Sequence, residues 1–148
     1  MFKDKYHLHV DMLKVLGAFI ASVAIVMGAN TVKDCSAGTS VYKFLTASLT
    51  PDPVVRGKDA TLSLSCQIPD GVTVASGTAE YSFSFNGIPF SPTVEDLCSQ
   101  VECPMVPGLY KNSSTSTFPD VGGKVVTTIK WFDEKKVLLY CLETTVKI

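Results

Sequence analysis

Four stretches of the chain show the residue patterns of β-strands. In residues 60–68, leucine, cysteine and isoleucine side chains share one face of an extended chain, and serine, threonine and glutamine occupy the other. Residues 78–87 and 124–132 alternate in the same way, with aromatic and aliphatic side chains on a single face. Such alternation is typical of half-buried antiparallel strands. Residues 137–148 are more continuously apolar, which indicates a strand in the centre of a sheet.

Turn-forming residues separate these stretches, and no segment shows a sustained helical period. Strands that each have one apolar face can bury it when two sheets pack on each other. The pattern therefore predicts an all-β fold, an immunoglobulin-like β-sandwich of two antiparallel sheets. The turn segments are 51–53, 69–71, 86–87, 107–108, 119–123 and 133–136.

Residues 1–29 have the pattern of a secretory signal peptide. A stretch with three lysines precedes a short apolar run, 15–28, and small residues follow at its end. A membrane-spanning helix needs about 20 apolar residues, so we expect cleavage near Ala29 in preference to an uncleaved signal anchor. Residues 30–148 then form one domain by length. We expect this domain in the secretory pathway, either secreted or in a lysosomal or vacuolar lumen.

Residues 30–148 contain no histidine, because His7 and His9 both lie in the predicted signal peptide. This excludes a Ser-His-Asp triad, a Cys-His nucleophile and a histidine-bearing zinc site from the domain. No paired carboxylates stand out as acid and base, and no basic block indicates nucleic-acid binding. We therefore expect no catalytic residues, no cofactor, no metal and no nucleic-acid partner.

All five cysteines lie in the part of the chain that we expect to be exported, where disulfides form and persist. Cys98 and Cys103 stand five positions apart in a polar turn. A turn of this length can bring the two Cα atoms within the roughly 5–6 Å that a disulfide requires. A local disulfide between them is the most economical interpretation.

The other three cysteines allow two arrangements. Cys66 and Cys141 could bridge the sheets as in an immunoglobulin domain, but Trp131 lies ten positions before the second cysteine instead of soon after the first. Alternatively, Cys35 pairs with Cys141. Cys66 lies among inward-facing leucine and isoleucine residues, where a free thiol acts as a small apolar filler. This favours the second arrangement, with Cys66 as a free thiol.

Four segments, taken in order, carry a resemblance to a known family: Asp34-Cys35, the stretch 48–64, the DLC and ECP motifs within 96–104, and CLETTVKI at 141–148. Together they resemble the MD-2-related lipid-recognition (ML) family. The likeness is closest to its phosphatidylglycerol/phosphatidylinositol transfer proteins, with the Niemann-Pick type C2 sterol carriers as relatives.

The resemblance implies disulfides between Cys35 and Cys141 and between Cys98 and Cys103. It also implies a carrier that binds and transfers a lipid, either a phospholipid or a sterol, held between the two sheets. The sterol carriers have a further disulfide where residues 48–57 of this chain have no cysteine, and this favours the phospholipid-transfer branch. We expect transient contact with membranes and a monomeric protein.

Eight residues are expected on the wall of the lipid cavity from their positions in the family pattern. An inward aromatic side chain in a sandwich is otherwise ordinary core, so the alternative function is a secreted immunoglobulin-like protein-binding module without a cavity. Asn112 begins an N-x-S sequon and is the predicted glycan acceptor. The expected cavity residues are Phe83, Ile88, Phe90, Met105, Val106, Tyr110, Ile129 and Trp131.

Overall fold

A computed structural model describes residues 30–148, and the predicted signal peptide, 1–29, lies outside the described residues. In that described part, the helical residues are too few to cross a membrane. The elements, in chain order, are β1 (Asn30–Asp34), β2 (Lys43–Thr50), β3 (Asp59–Ile68), β4 (Gly77–Phe85), β5 (Ile88–Pro89), β6 (Thr93–Asp96), α1 (Leu97–Gln100), β7 (Gly108–Thr117), β8 (Lys124–Asp133) and β9 (Leu138–Lys147).

The strands form two antiparallel sheets. The larger sheet has the order β1-β9-β8-β4-β5, with β6 also paired to β4, and the smaller sheet has the order β2-β3-β7. The predicted all-β fold of two antiparallel sheets is therefore confirmed. The four predicted strands correspond to β3, β4, β8 and β9. The last of these lies between β1 and β8, in the position that its continuous apolar sequence indicated.

The pairing register gives each sheet an inner and an outer face. Leu64 of β3 lies opposite Asn112 of β7, and Cys66 lies opposite Tyr110. Directly opposite residues of an antiparallel pair project to the same side of the sheet. Because Leu64 and Cys66 are buried in the interior, Tyr110 and Asn112 also face the larger sheet.

A tight turn at Asn86 and Gly87 folds β5 back against β4. Both residues have positive φ angles, 50° and 82°. Two-residue hairpin loops require this backbone, and an Asn-Gly pair adopts it readily. Asn86 Oδ1 also accepts a hydrogen bond of 2.8 Å from the backbone N–H of Lys124. The turn therefore fixes Ile88 opposite Phe85 at the margin of the larger sheet.

The structure contains two disulfides, Cys35–Cys141 and Cys98–Cys103. These are the two pairs that the family resemblance implies. Cys66 is free and fully buried. The short bridge joins α1 to the loop that precedes β7, whereas the long bridge joins the segment after β1 to β9.

One margin of the sandwich is held shut, and we name it the closed edge: β1, β2 and the connecting residues 35–42. β1 lies against β2. Val41 and Tyr42 donate backbone hydrogen bonds of 3.0 and 2.9 Å to carbonyl oxygens of β9. Cys35, at the start of the connection, is bonded to Cys141 of β9. The crossover between the sheets is therefore fixed both covalently and by hydrogen bonds.

The buried side chains fall into two clusters. The first is the larger and surrounds Trp131 and Tyr140, and the second includes Val125 and Val146. Leu62 packs against both clusters. Between them, register partners Thr127 and Thr144 place hydroxyl groups on the inner face of β8 and β9. The apolar core is thus interrupted near the middle of the sandwich.

Candidate functional site

The smaller sheet does not cover the whole of the larger one. The Tyr110 ring of β7 makes an edge-to-face contact with the Trp131 ring of β8, with centroids 6.1 Å apart. Because β7 is the outer strand of its sheet, that sheet ends over β8 and β4 lies beyond it. We name this margin the open edge. Its inner-face residues are Tyr81, Phe83, Ile88, Phe90, Tyr110 and Asn112.

Large apolar side chains at the open edge are left partly in water. The Phe83 ring is half-buried and lies 5.2 Å from the Phe90 ring, centroid to centroid. Phe90 is 55% exposed and Ile88 is 65% exposed. Clustered apolar side chains of this size on a protein surface usually belong to a binding site. The open edge is therefore accessible to an apolar ligand.

A few oriented polar groups accompany these apolar side chains. Asn112 Nδ2 donates a hydrogen bond of 3.2 Å to Tyr110 Oη, and Tyr81 Oη donates one of 3.3 Å to Gln100 Oε1. Burial raises the pKa of both tyrosines, and Glu95 raises that of Tyr81 further. Both phenols are therefore neutral at physiological pH. An apolar wall with a small number of placed polar groups is typical of small-molecule sites.

Asn112 is also the predicted glycan acceptor. Its amide is half-buried on the inner face of β7 and is engaged with Tyr110. Glycosylation of Asn112 stays a prediction.

Two of the eight expected cavity residues lie in the first core cluster. Met105 is 1% exposed and Trp131 is 3% exposed. The backbone of Met105 forms a bridge to Val74 through hydrogen bonds of 2.8 and 2.9 Å. Its Sδ accepts a hydrogen bond of 3.8 Å from Tyr42 Oη. Met105 is therefore held in the core both by its backbone hydrogen bonds and by the contact of its side chain.

The remaining expected residues occupy the open edge or a neighbouring surface. Phe83, Ile88, Phe90 and Tyr110 come together along the open edge, and Ile129, half-buried on the inner face of β8, lies opposite Tyr81 in the register. Val106 is 55% exposed in the loop before β7. The structure thus brings four of the eight expected residues together at the open edge, with Ile129 and Trp131 next to them on the inner face of β8. Met105 and Val106 lie outside that group.

Polar groups lie among the aromatic rings of the first core cluster. The Trp131 and Tyr140 rings are 5.1 Å apart, and neither Trp131 Nε1 nor Tyr140 Oη has a hydrogen-bond partner among the described residues. Burial raises the pKa of the Cys66 thiol to about 12. Burial also raises the pKa of Tyr42 to about 12, with a further contribution from Cys66. Tyr140 has a raised pKa for the same two reasons, burial first.

A separate groove of about 400 Å³ lies on the outer face of the smaller sheet. Its wall is rich in hydroxyl groups, among them the hydrogen-bonded pairs Thr46–Ser65 at 2.7 Å and Ser63–Ser113 at 3.3 Å. The sheet separates this groove from the interior. A polar, open groove of this kind offers little apolar area to an acyl chain or a sterol.

The candidate site does not contain a metal-binding cluster in the part of the chain that the structure describes. Within residues 30–148, no group of three or more histidine, cysteine, aspartate or glutamate side chains could hold a metal ion. The geometry of the open edge is suited to binding through burial of apolar surface.

Sequence reasoning missed three residues of the site and its interior. Tyr81 belongs to the same alternating pattern as Phe83, so the pattern could have identified it. Asn112 was recognised only as a sequon, and its inward direction follows from pairing with Leu64, which the sequence does not give. Tyr140 lies in a continuously apolar strand, where the period cannot assign side chains to a face.

Comparisons with known proteins agree with this architecture. Residues 29–148 match the family model described as "ML domain". A Dictyostelium discoideum protein, whose name proposes phosphatidylglycerol/phosphatidylinositol transfer, is 26% identical over 113 residues, which cover 72% of this chain and 78% of that protein.

Two solved structures share the fold. A Niemann-Pick type C2 protein from the Japanese carpenter ant superposes with a TM-score of 0.60 at 19% identity, over 80% of this chain and 98% of that one. Chicken MD-1, solved in complex with lipid IVa, superposes with a TM-score of 0.57 at 16% identity, over 80% of this chain and 88% of that one. These likenesses confirm the immunoglobulin-like β-sandwich.

Proposed function

This chain belongs to the ML domain family, and on that premise we propose that it carries a phospholipid or a sterol between its two sheets and transfers it between membranes. The family resemblance of the four sequence segments is confirmed by the match over residues 29–148. The proposed activity is binding and transfer, without a catalytic step. The name of the Dictyostelium discoideum relative supports the phospholipid as the first ligand to test.

The open edge is the observation that carries this proposal. Phe83 and Tyr110 project inward from opposite sheets, and both are half-buried although they lie on inner faces. A lipid tail between the sheets would cover them and remove its own apolar surface from water. Each Å² of apolar surface removed from water contributes about 25 cal/mol. The proposed path of the tail runs inward from Phe83 and Tyr110, past the inner face of β8, toward the first core cluster.

Contact with membranes is proposed at the same margin. Ile88 and Phe90 are exposed next to the half-buried Phe83, so they can enter the lipid surface while the tail moves between bilayer and protein. We place the protein in the secretory pathway, secreted or in a lumenal compartment. The two disulfides and the signal-like sequence of 1–29 support that location.

The proposal is tested by transfer of fluorescent phosphatidylglycerol, phosphatidylinositol or cholesterol between vesicles. The Phe90→Asp variant should lose most of the transfer rate, because a charge at this position opposes entry of the edge into apolar surroundings. Its thermal midpoint should stay close to that of the unchanged protein, because Phe90 is largely exposed.

Val94→Asp is the matched control. Val94 is also exposed, but it pairs with Glu80 of β4 and so faces the outer side of the same margin. Its transfer rate should be unchanged. If the unchanged protein moves none of the three lipids, the carrier function is wrong. A solid protein-binding module then becomes the better interpretation.

A further inference from the structure

Three buried polar atoms have no hydrogen-bond partner among the described residues, and two of them, Trp131 Nε1 and Tyr140 Oη, lie in the first core cluster; the third is Asn30 Oδ1 of β1. Trp131 and Tyr140 are almost fully buried, at 3% and 1% exposure. Buried polar groups in proteins are nearly always hydrogen-bonded, because leaving a donor dry and unpaired costs stability. A pair of such groups in one place therefore indicates that a further molecule completes the hydrogen bonds.

The two side chains are direct neighbours on the inner face of the larger sheet. Trp131 and Tyr140 are direct register partners on β8 and β9, and their rings lie 5.1 Å apart. Both are members of the first core cluster. Tyr42, in the same cluster, differs from them, because its hydroxyl donates to Met105 Sδ. The absence of partners is thus specific to the Trp131–Tyr140 pair within this cluster.

The Trp131–Tyr140 pair is next to the open edge. Tyr110, one of the open-edge residues, contacts the Trp131 ring at 6.1 Å, edge to face. The buried Cys66 thiol is opposite Tyr110 in the register and affects the pKa of both Tyr110 and Tyr140. The polar pair therefore lies directly behind Tyr110, on the interior side of the open edge.

We propose that Trp131 Nε1 and Tyr140 Oη bind an oxygen atom in the buried part of the lipid, so that the carrier selects lipids with a hydroxyl or carbonyl group on their apolar portion. This inference rests on the proposed carrier function. The indole N–H can only donate, and the phenol can donate as well. An oxygen with two lone pairs can accept from both, whereas a saturated hydrocarbon tail leaves both unpaired.

The experiment compares matched ligands that differ by one oxygen. Binding of stearic acid is compared with binding of stearic acid that carries a mid-chain hydroxyl, and cholesterol with a sterol hydroxylated on its side chain. The oxygenated member of at least one pair should bind about fivefold to tenfold more tightly, which corresponds to one net hydrogen bond. The two pairs distinguish an acyl chain from a sterol as the source of the oxygen.

The sequence contains a single tryptophan, so its fluorescence reports directly on Trp131. Binding of the oxygenated ligand should shift the emission to longer wavelength, as expected when the indole acquires a polar neighbour. The unsubstituted ligand should bind without that shift.

Variants separate this inference from the carrier function. Tyr140→Phe keeps the ring and removes only the unpaired hydroxyl. The ratio of the affinities for the oxygenated and the unsubstituted ligand should therefore fall toward one, while the unsubstituted ligand still binds. Tyr42→Phe is the control, and it should keep the preference, because the Tyr42 hydroxyl already has a partner.

Three outcomes would contradict the inference. Equal binding within both ligand pairs, or an unchanged preference in Tyr140→Phe, would show that Trp131 and Tyr140 do not bind the ligand oxygen. A water molecule bonded to Trp131 Nε1 in a crystal structure of the lipid-bound protein would show that the hydrogen-bond acceptor is water and not the lipid. If none of the four ligands binds and vesicle transfer also fails, the carrier function itself is wrong.

Discussion

At the scale of single residues, the Cys66 thiol makes the stability of the fold vary with pH in the alkaline range. Burial raises its pKa from an ordinary value near 9 to about 12. Above pH 9 the unfolded chain loses this proton while the folded chain keeps it, so the unfolded state binds fewer protons. The free energy of unfolding therefore falls as pH rises from about 9 to about 12, by up to about 1.4 kcal/mol per pH unit from this group.

The measurement is denaturant unfolding at a series of pH values for the unchanged protein and for Cys66→Ala. The variant is expected to be less stable at neutral pH, because it leaves a small cavity, but its stability should fall less steeply above pH 9. Parallel curves for the two proteins would contradict the assignment. Tyr42 begins to contribute only above its own ordinary pKa near 10.

Met105 and Val106 are neighbours in sequence with opposite environments, which makes them a matched pair. Met105→Lys places a charge in the first core cluster and should lower the free energy of unfolding by several kcal/mol. Val106→Lys should change it by less than about 0.5 kcal/mol, because Val106 is exposed. Chemical denaturation of both variants checks this expectation, and similar losses would mean that Met105 is not packed in the core.

The sequence does not predict which of the apolar side chains near the site point to the open edge and which point into the core. Phe90 and Ile88 could be identified because large apolar side chains stand out in a turn-like segment. Met105 has the same local character, yet its backbone bridge to Val74 takes it into the core. That bridge joins segments about 30 residues apart, and nothing in the local pattern of either segment indicates it.

At the scale of secondary-structure elements, the two disulfides should contribute unequally to stability. The long bridge joins cysteines 106 positions apart and the short one joins cysteines 5 positions apart. The entropy lost by the unfolded chain grows with the size of the closed loop, giving about 4.7 kcal/mol for a loop of roughly 100 residues and about 2 kcal/mol for the short loop. Denaturation of Cys35→Ala/Cys141→Ala and of Cys98→Ala/Cys103→Ala should show the larger loss in the first variant.

The same elements show which strands a sequence can predict. β3, β4 and β8 alternate clearly because a facing sheet buries one side of each. β9 is continuously apolar, and both of its faces are buried around Cys141, which is bonded to Cys35. β7 was missed. Its second half consists of serine and threonine residues on both faces, all of them exposed, so no alternation of apolar and polar side chains identifies the strand.

At the scale of the whole molecule, lipid binding should stabilise the fold. A ligand that binds only the folded protein adds about 2.7 kcal/mol when its free concentration is a hundred times Kd. Delipidated protein should therefore unfold at a lower temperature than the lipid-loaded protein. Phe90→Asp should show a reduced difference between the two forms, and Val94→Asp should retain it. Scanning calorimetry measures both, and an identical midpoint with and without lipid would contradict binding between the sheets.

The closed edge has a consequence for how this chain can diversify. The crossover 35–42 and the long disulfide hold one margin of the sandwich, so substitutions at the other margin alter the space between the sheets without loosening the attachment. Open-edge side chains are half-buried or exposed, so exchanging them costs little stability. Natural variation in related chains is therefore expected to concentrate on β4, β5 and β7, where it changes the size and chemistry of the cargo. The residues that hold β1 and the connection 35–42 to β9 are expected to vary little.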